Sequence, residues 1–184
     1  MIGGYRNVMH NDLRDTVANV LKETGYKAVE TEPRLQPLSG ERFEYKSANC
    51  DEDARSDIKV NGFWRPMRMA FFDIKVVSPY ARSYAHLSTT AMYRNAEKSK
   101  EREYLERIKN VEHGDFNPLV FTTAGGMAPQ AQIVIKRNCS CSQRKERPTQ
   151  VSCHRMATLQ AQFCITTNDA IVYPWNKNAE IYEF

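Results

Sequence analysis

The sequence predicts a mixed α/β (α+β) fold in which the order α-β-β-β-α-β forms a mixed central sheet flanked by helices. An apolar stripe at helical spacing comes first, and three strand-like segments follow it. A long helical pattern over residues 91–109 then precedes one more short apolar strand. A helical crossover before the last strand favours a mixed sheet with helices on both faces. We assign residues 1–127 to this core and residues 128–184 to a basic, cysteine-containing extension that packs on the core or trails from it.

The first helix is predicted over residues 10–24, where apolar side chains recur at helical spacing and Gly25 supplies a natural stop. Asp12 or Asp15 in this helix is a candidate third acid for a catalytic site. An equally simple interpretation is that Asn11 or Asp12 caps the helix and that His10 is a structural hydrogen bonder. The apolar stripe consists of Leu13, Val17, Val20 and Leu21.

The first strand is predicted near residues 26–32, and Pro33 ends it. Glu32 is a candidate site residue, and a carboxylate on an edge strand is the alternative. Residues 33–53 are predicted to form a long loop, which either lines a nucleic-acid groove or is simply flexible.

Two adjacent strands are predicted at residues 55–60 and 67–77, with a turn at Asn61-Gly62 between them. The second strand has the composition of a buried central strand, because it is apolar and rich in aromatic and β-branched residues. Its apolar members are Met67, Met69, Phe71, Phe72, Ile74, Val76 and Val77.

An acid and a base interrupt this second strand. Asp73 and Lys75 lie two residues apart, so both project from one face of the sheet while Ile74 points into the core. Pairing of the two strands is expected to bring Asp57 beside Asp73. Two carboxylates form a site for Mg²⁺ or Mn²⁺, and Lys75 is suited to hold an attacking water or the developing negative charge. The chemistry predicted is hydrolysis of a phosphodiester, and the alternative is an acid–base pair on a solvated surface.

The helical pattern over residues 91–109 places Lys100 in an otherwise apolar and aromatic stripe. Lys100 and Tyr104 lie four residues apart on one face, so both are candidate site residues. The alternative is a snorkelling lysine on a helix whose acidic residues pair with its basic ones. Residues 117–123 are predicted to form the last strand, closed by Gly125-Gly126.

The net charge of +4 is concentrated in one segment. Residues 136–155 hold six basic residues and one acidic residue, a local charge of +5. Such a patch can bind nucleic-acid phosphates, and a solvated charged segment is the alternative. The candidate nucleic-acid-binding residues are Lys136, Arg137, Arg144, Lys145 and Arg147.

The five cysteines do not form a recognisable disulfide framework. Cys139, Cys141, Cys153 and His154 suggest a zinc site, although their spacing differs from that of common zinc frameworks. No apolar run is long enough to span a bilayer and no secretory signal peptide is evident, so we expect an intracellular protein without a membrane partner.

The segments Ser56-Asp57 and Asp73-Ile74-Lys75 resemble the PD-(D/E)XK signature of restriction-endonuclease-like nucleases. A longer resemblance covers most of residues 3–127. It relates the chain to the C-terminal endonuclease-type domain of reverse transcriptase polyproteins encoded by invertebrate retrotransposons. The segments that carry it are residues 3–15, 32–41, 54–64, 68–76 and 111–127.

The resemblance implies an Mg²⁺- or Mn²⁺-dependent endonuclease with the α-β-β-β-α-β core, acting on DNA in the nucleus. Asp57 and Asp73 would be metal ligands together with the backbone carbonyl of Ile74, and Lys75 would position the attacking water. The segment Lys100-x-x-x-Tyr104 resembles a polar-x-x-x-Tyr element of some members. Met9 and Asp12 depart from the Arg-His-Asn-Glu pattern of the family, which puts the role of Asp12 in doubt.

The same resemblance implies that the domain nicks target DNA for a mobile element. Its expected partners are DNA or RNA and the polymerase domain of a larger polyprotein. A homodimer is a further expectation, because cutting both strands with one active site per chain calls for two protomers. The alternative function is a catalytically inactive nuclease-fold module that binds nucleic acid for a reverse transcriptase.

Overall fold

A computed structural model describes residues 3–142, which form three helices and four strands. The order α-β-β-β-α-β is confirmed, and one more helix follows it. The element bounds extend or shorten the predicted segments by a few residues, most of all at the first helix, which begins seven residues earlier than expected. The elements are α1 (Gly3–Glu23), β1 (Val29–Thr31), β2 (Ile58–Asn61), β3 (Met69–Val77), α2 (Thr89–Asn110), β4 (Asp115–Thr122) and α3 (Pro129–Ser142).

The four strands form one mixed sheet in the order β1-β2-β3-β4. The pairs β1–β2 and β2–β3 are antiparallel, whereas β3 and β4 are parallel. The parallel pair follows from the helical crossover, because a chain that leaves the end of β3 must return through α2 to start β4 beside it. The central strand β3 is also the longest, as its apolar sequence predicts.

The side chains of β3 alternate between two layers. Those of Phe72 and Ile74 pack in a cluster with residues of α1 and α3, including Leu13 and Val134. The side chain of Phe71 instead packs against α2 and β4. Because alternate residues face the same side of a strand, Asp73 and Lys75 lie in the layer next to α2.

Glycines end α1 and begin the β2–β3 connection. Gly25 has a φ of 97°, and the N–H groups of Gly25 and Tyr26 donate to Lys22 and Leu21, which is the Schellman arrangement. The β2–β3 connection is longer than the predicted Asn61-Gly62 turn. Asn61 still pairs with Met69 in the sheet, and residues 62–68 form a loop closed by the hydrogen bond from Gly62 N–H to the carbonyl of Arg68.

The long loop between β1 and β2 is held against α2 by a buried arginine. Arg107 is fully buried, and its Nη1 donates to the carbonyls of Asn49 and Asp51, each at 2.8 Å. Its Nη2 donates to the carbonyl of Gln36 at 3.0 Å. These charge-assisted bonds order the chain that leads into β2. Among the helices of residues 3–142, none has the length and apolarity needed to cross a membrane.

Candidate active site

The two candidate acids meet where β2 begins and β3 continues beyond it. Ile58, the first residue of β2, pairs with Phe72, so Asp57 stands opposite Asp73 one step further along. The Oδ2 atom of Asp57 accepts a hydrogen bond from the backbone N–H of Ile74 at 2.6 Å. The Ile74 N–H lies beyond Ile58, the first residue of β2. The Asp57 carboxylate therefore accepts the hydrogen bond that a carbonyl of a neighbouring strand would otherwise accept.

His10 of α1 also binds Asp57. Its Nε2 lies 3.0 Å from Oδ2 of Asp57, and its Nδ1 lies 3.4 Å from Oδ1 of the neighbouring Asn11. The hydrogen bond to Asp57 raises the pKa of His10 against the opposing effect of burial, and this favours the imidazolium form. Oδ2 of Asp57 therefore accepts two hydrogen bonds, one from each flanking element, and its position is well defined.

Asp73 is buried, with 4% of its surface exposed. The Lys100 ammonium lies 3.0 Å from its Oδ2 as an ion pair, but Oδ2 accepts no well-oriented hydrogen bond from the described residues. Burial raises the pKa of Asp73 to about 7; the Lys100 charge opposes the shift and the Asp57 charge adds to it. The carboxyl group is therefore poised to change protonation near neutral pH.

Lys100 is shared between two acids. Its Nζ lies 3.2 Å from Glu103 in addition to its contact with Asp73, and it sits 5.2 Å from the centre of the Tyr104 ring. Burial alone would lower the pKa of Lys100, but the two carboxylates outweigh it and raise the pKa. The lysine therefore stays charged beside Asp73. Tyr104, whose pKa burial raises to about 12, stays neutral.

Lys75 lies on the same face of β3 as Asp73 and points toward α2. Its Nζ donates to Oγ of Ser99 at 3.2 Å. The side chain is partly exposed, so the ammonium stands at the border between the α2 layer and solvent. Two lysines from different elements thus lie near the two acids.

The site contains oxygen atoms of the kind that a hard divalent cation prefers. Among the described residues, the buried Oδ2 of Asp73 has the Lys100 ion pair but no well-oriented hydrogen bond, and Asp57 is close enough to raise the pKa of Asp73 through its charge. The carbonyl of Ile74 points to the same edge of β3 as its N–H, because both groups of one strand residue face the same neighbour. Within residues 3–142 no group of three or more His, Cys, Asp or Glu side chains is arranged to hold a metal. Mg²⁺ commonly binds through one or two carboxylates and keeps several waters.

No protein-family model matches the chain, and no curated protein matches it.

The side chains of the two other candidate acids lie at exposed positions. Asp12 is exposed and lies two residues past His10, which is about 200° around α1 from the side that contacts Asp57. Glu32 is exposed just after β1, and its carboxylate contacts Arg14 and, at 3.7 Å, Arg55. Its backbone N–H donates to the Asp57 carbonyl at 2.9 Å, so Glu32 borders the site through its main chain.

The predicted basic patch divides into described and undescribed parts. Lys136 is exposed on α3, whereas Arg137 donates to the carbonyls of Phe63 and Trp64 at 2.9 and 3.0 Å. Arg137 therefore joins α3 to the β2–β3 loop. The side chains of Arg144, Lys145 and Arg147, and of the proposed zinc ligands Cys139, Cys141, Cys153 and His154, lie outside the part that the structure describes.

Two residues of the site were not among the sequence candidates. His10 lies three residues before Leu13 and seven before Val17, so it belongs to the buried stripe of α1, and that position was the available signal. Glu103 lies three residues after Lys100, a spacing that brings opposite charges together on a helix.

Proposed function

We propose that this chain is a metal-dependent endonuclease that hydrolyses DNA phosphodiester bonds. The observation that carries the proposal is that Asp57 and Asp73 lie opposite one another at the start of β2. Among the described residues, the buried Oδ2 of Asp73 has the Lys100 ammonium at 3.0 Å but accepts no well-oriented hydrogen bond. Buried polar oxygens are normally satisfied, and a bound cation is one explanation for an exception. The adjacent lysines suit a reaction in which negative charge develops on a phosphate.

Asp57 and Asp73 would hold Mg²⁺ or Mn²⁺ together with the carbonyl of Ile74. Such an ion supplies Lewis-acid catalysis and lowers the pKa of bound water. Asp57 is oriented for this role by His10 and by the Ile74 N–H. Asp73 must release its proton first, and Lys100 favours the ionised form.

Lys75 would orient the attacking water or stabilise the charge that develops on the phosphoryl oxygens. Its hydrogen bond to Ser99 directs the ammonium along the α2 side of the sheet, which is the side that Asp73 faces. Lys100 and Tyr104 would act behind Asp73 by setting its charge and covering it from solvent.

A mobile-element context follows from the sequence resemblance and belongs to the same proposal. The domain would nick target DNA beside the polymerase domain of a larger polyprotein and would act in the nucleus. The net charge of +4 supports binding to a polyanion. A homodimer would be needed for a cut through both strands.

The test is nicking of supercoiled plasmid with Mg²⁺, with Mn²⁺ and with a chelator. We expect the wild type to nick only with metal and Asp73→Asn to lose about a hundredfold or more of this activity. Asp53→Asn is the matched control, because Asp53 is an acid with 80% of its side chain exposed and lies away from the site. Metal-independent nicking, or equal nicking by Asp73→Asn, would overturn the proposal.

A second candidate function is a catalytically inactive module that binds nucleic acid for a reverse transcriptase. One observation favours it: both acids already have protein partners, Asp57 in His10 and the Ile74 N–H, and Asp73 in Lys100. Salt-dependent binding is expected of both functions and does not separate them. Binding without nicking under any of the metal conditions would favour this second function.

A further inference from the structure

A cavity of about 500 Å³ opens at the end of the sheet where β3 and β4 begin. It lies between the β2–β3 loop, the last turns of α2 and the start of β4. The residues that matter for its chemistry are Trp64, Arg65, Arg68, Lys109, Asp115 and Asn117. Its volume lies in the range of small-molecule sites. None of these residues belongs to the candidate active site.

The cavity has an excess of positive charge. Arg68 neutralises the single acid, because its Nε lies 2.9 Å from Oδ2 of Asp115 and its Nη2 donates to the carbonyl of Gly114. Arg65 and Lys109 are exposed, and their side chains form no hydrogen bond or ion pair with residues 3–142. Two cationic groups are therefore available to an anionic ligand.

An indole is fixed beside these charges. Trp64 donates from Nε1 to Oδ1 of Asn117 at 2.7 Å and meets the Phe63 ring edge-on at 4.9 Å. The Arg137 guanidinium lies 5.0 Å from the centre of the Trp64 ring and does not line the cavity. One part of the indole is thus covered by protein, and another part borders the cavity. A held indole of this kind can stack on an unpaired base.

The loop that carries Trp64 also presents an unusual residue. Met67 has a φ of 59°, in the left-handed region, and 92% of its surface is exposed. The hydrogen bonds from Gly62 to Arg68 and from Arg68 to Arg65 hold the loop in this conformation. Non-glycine residues rarely adopt such a conformation unless the surroundings impose it. Apolar side chains on nucleic-acid-binding loops can contact bases directly.

We propose that this cavity binds a single-stranded segment of nucleic acid, with an unpaired base against Trp64 and its neighbouring phosphates at Arg65 and Lys109. The inference rests on the proposed function for the nature of the partner. Met69, beside the cavity, lies four residues before Asp73, which is about 13 Å along β3. A bound strand a few nucleotides long reaches from the cavity to the candidate active site, so the cavity would hold the unpaired strand next to the cut.

The test measures binding of short single strands by the fluorescence of Trp64, with chelator present so that no cleavage occurs. The chain has two tryptophans, and Trp175→Phe leaves Trp64 as the reporter. We expect saturable quenching by single-stranded DNA or RNA, and binding of a duplex that is about tenfold weaker. The DNA and RNA arms identify which sugar is preferred.

The charge contacts are tested by the double variant Arg65→Gln/Lys109→Gln. We expect single-strand binding about tenfold weaker at low salt, and a slope of log affinity against log salt that is smaller by about 1.4. The matched control is Arg82→Gln/Lys98→Gln, which removes the same charges from exposed residues that do not line the cavity. Equal losses in both double variants would overturn the proposal.

Absence of Trp64 quenching, or equal binding of duplex and single strand, would also overturn it. These outcomes are independent of nicking, because the binding assay excludes metal. A chain that nicks plasmid but binds no single strand would keep the proposed function and lose this inference. A chain that binds single strands through Arg65 and Lys109 but never nicks plasmid would keep this inference and lose the proposed function.

Discussion

The carboxylate of Asp57 accepts the backbone N–H of Ile74, the residue that follows Asp73 in β3. A hydrogen bond to β3, the strand that carries Asp73, therefore fixes the position of Asp57 relative to Asp73. His10 holds the same carboxylate oxygen from α1, and Lys100 holds Asp73 from α2. Helices on opposite faces of the sheet thus each support one acid, which is the kind of rigid support that a catalytic site requires.

The metal-free protein is expected to lose stability as the pH rises from about 4 to about 7, in part because of Asp73. Burial raises the pKa of Asp73 from 3.8 to about 7, so the folded state keeps a proton that the unfolded chain has released. The stabilisation from the neutral carboxyl group is complete below the unfolded pKa and is lost as the pH rises through the folded pKa. His10, with its raised pKa, acts in the same direction at higher pH.

Asp73→Asn isolates this effect, because it keeps a neutral side chain of the same shape at every pH. Relative to wild type, the variant should gain stability on the order of 4 kcal/mol between low and neutral pH. Urea unfolding of both proteins across the pH range measures it, and titrations common to both cancel in the difference. A pH-independent difference would show that Asp73 titrates normally.

Changing Lys75 or Lys100 to methionine is expected to alter the nicking activity in different ways. Lys75→Met should lower nicking about a hundredfold at every pH while metal binding is retained, because the lysine acts on water or phosphate. Lys100→Met removes the cation beside Asp73, so the pKa of Asp73 should rise further and the pH–activity curve should move to higher pH. Lys98→Met, on the exposed side of α2, is the control. Identical pH profiles for the two variants would refute this division of roles.

His10→Ala should lower nicking about tenfold, because Asp57 loses one of its two hydrogen bonds but keeps the Ile74 N–H. The loss should appear as weaker metal affinity, so high metal concentration should restore part of the activity. Asp12→Ala serves as the comparison, since Asp12 is exposed on the other side of α1 and should be replaceable. Full activity in His10→Ala, with normal metal affinity, would exclude a positioning role for the imidazole.

Arg107→Met should destabilise the fold by about 3 kcal/mol, because it leaves three inward-facing carbonyls without their donor. Arg102→Met is the matched control; Arg102 is exposed on the same helix and lies 6.0 Å from the Tyr45 ring. That variant should lose less than about 1 kcal/mol. Urea unfolding compares the two, and equal losses would mean that Arg107 does not hold the loop.

The order of the elements was predictable because it depends on local periodicity. Each pattern can be recognised within its own segment. These patterns are the helical stripe that ends at Gly25, the apolar run of β3 and the long helical pattern of α2. The start of β2 was less predictable. Three residues of the expected strand, including Asp57, precede β2. Arg55 among them forms an isolated antiparallel bridge with Arg34, and Asp57 binds β3 through its side chain.

The contacts around the site were less accessible to sequence reasoning because they join distant segments. His10 and Asp57 are 47 positions apart, and helical spacing alone marks the histidine only as a stripe residue. Lys100 was a sequence candidate, but its pairing with Asp73 depends on how α2 crosses the sheet. The cavity at Trp64 was harder still to predict from the sequence, because three separate segments form it and none of them carries a motif. A buried arginine such as Arg107 runs against the composition rule for cores.

The claim that Asp57 and Asp73 share one divalent cation is tested most directly by titrating Mn²⁺ and following the free ion by electron paramagnetic resonance. The pH should be well above 7 so that Asp73 is ionised. We predict one ion per chain for the wild type and for Asp53→Asn, with affinity at least about tenfold weaker in Asp57→Asn and in Asp73→Asn. Unchanged Mn²⁺ affinity in either of the last two variants would contradict the shared site.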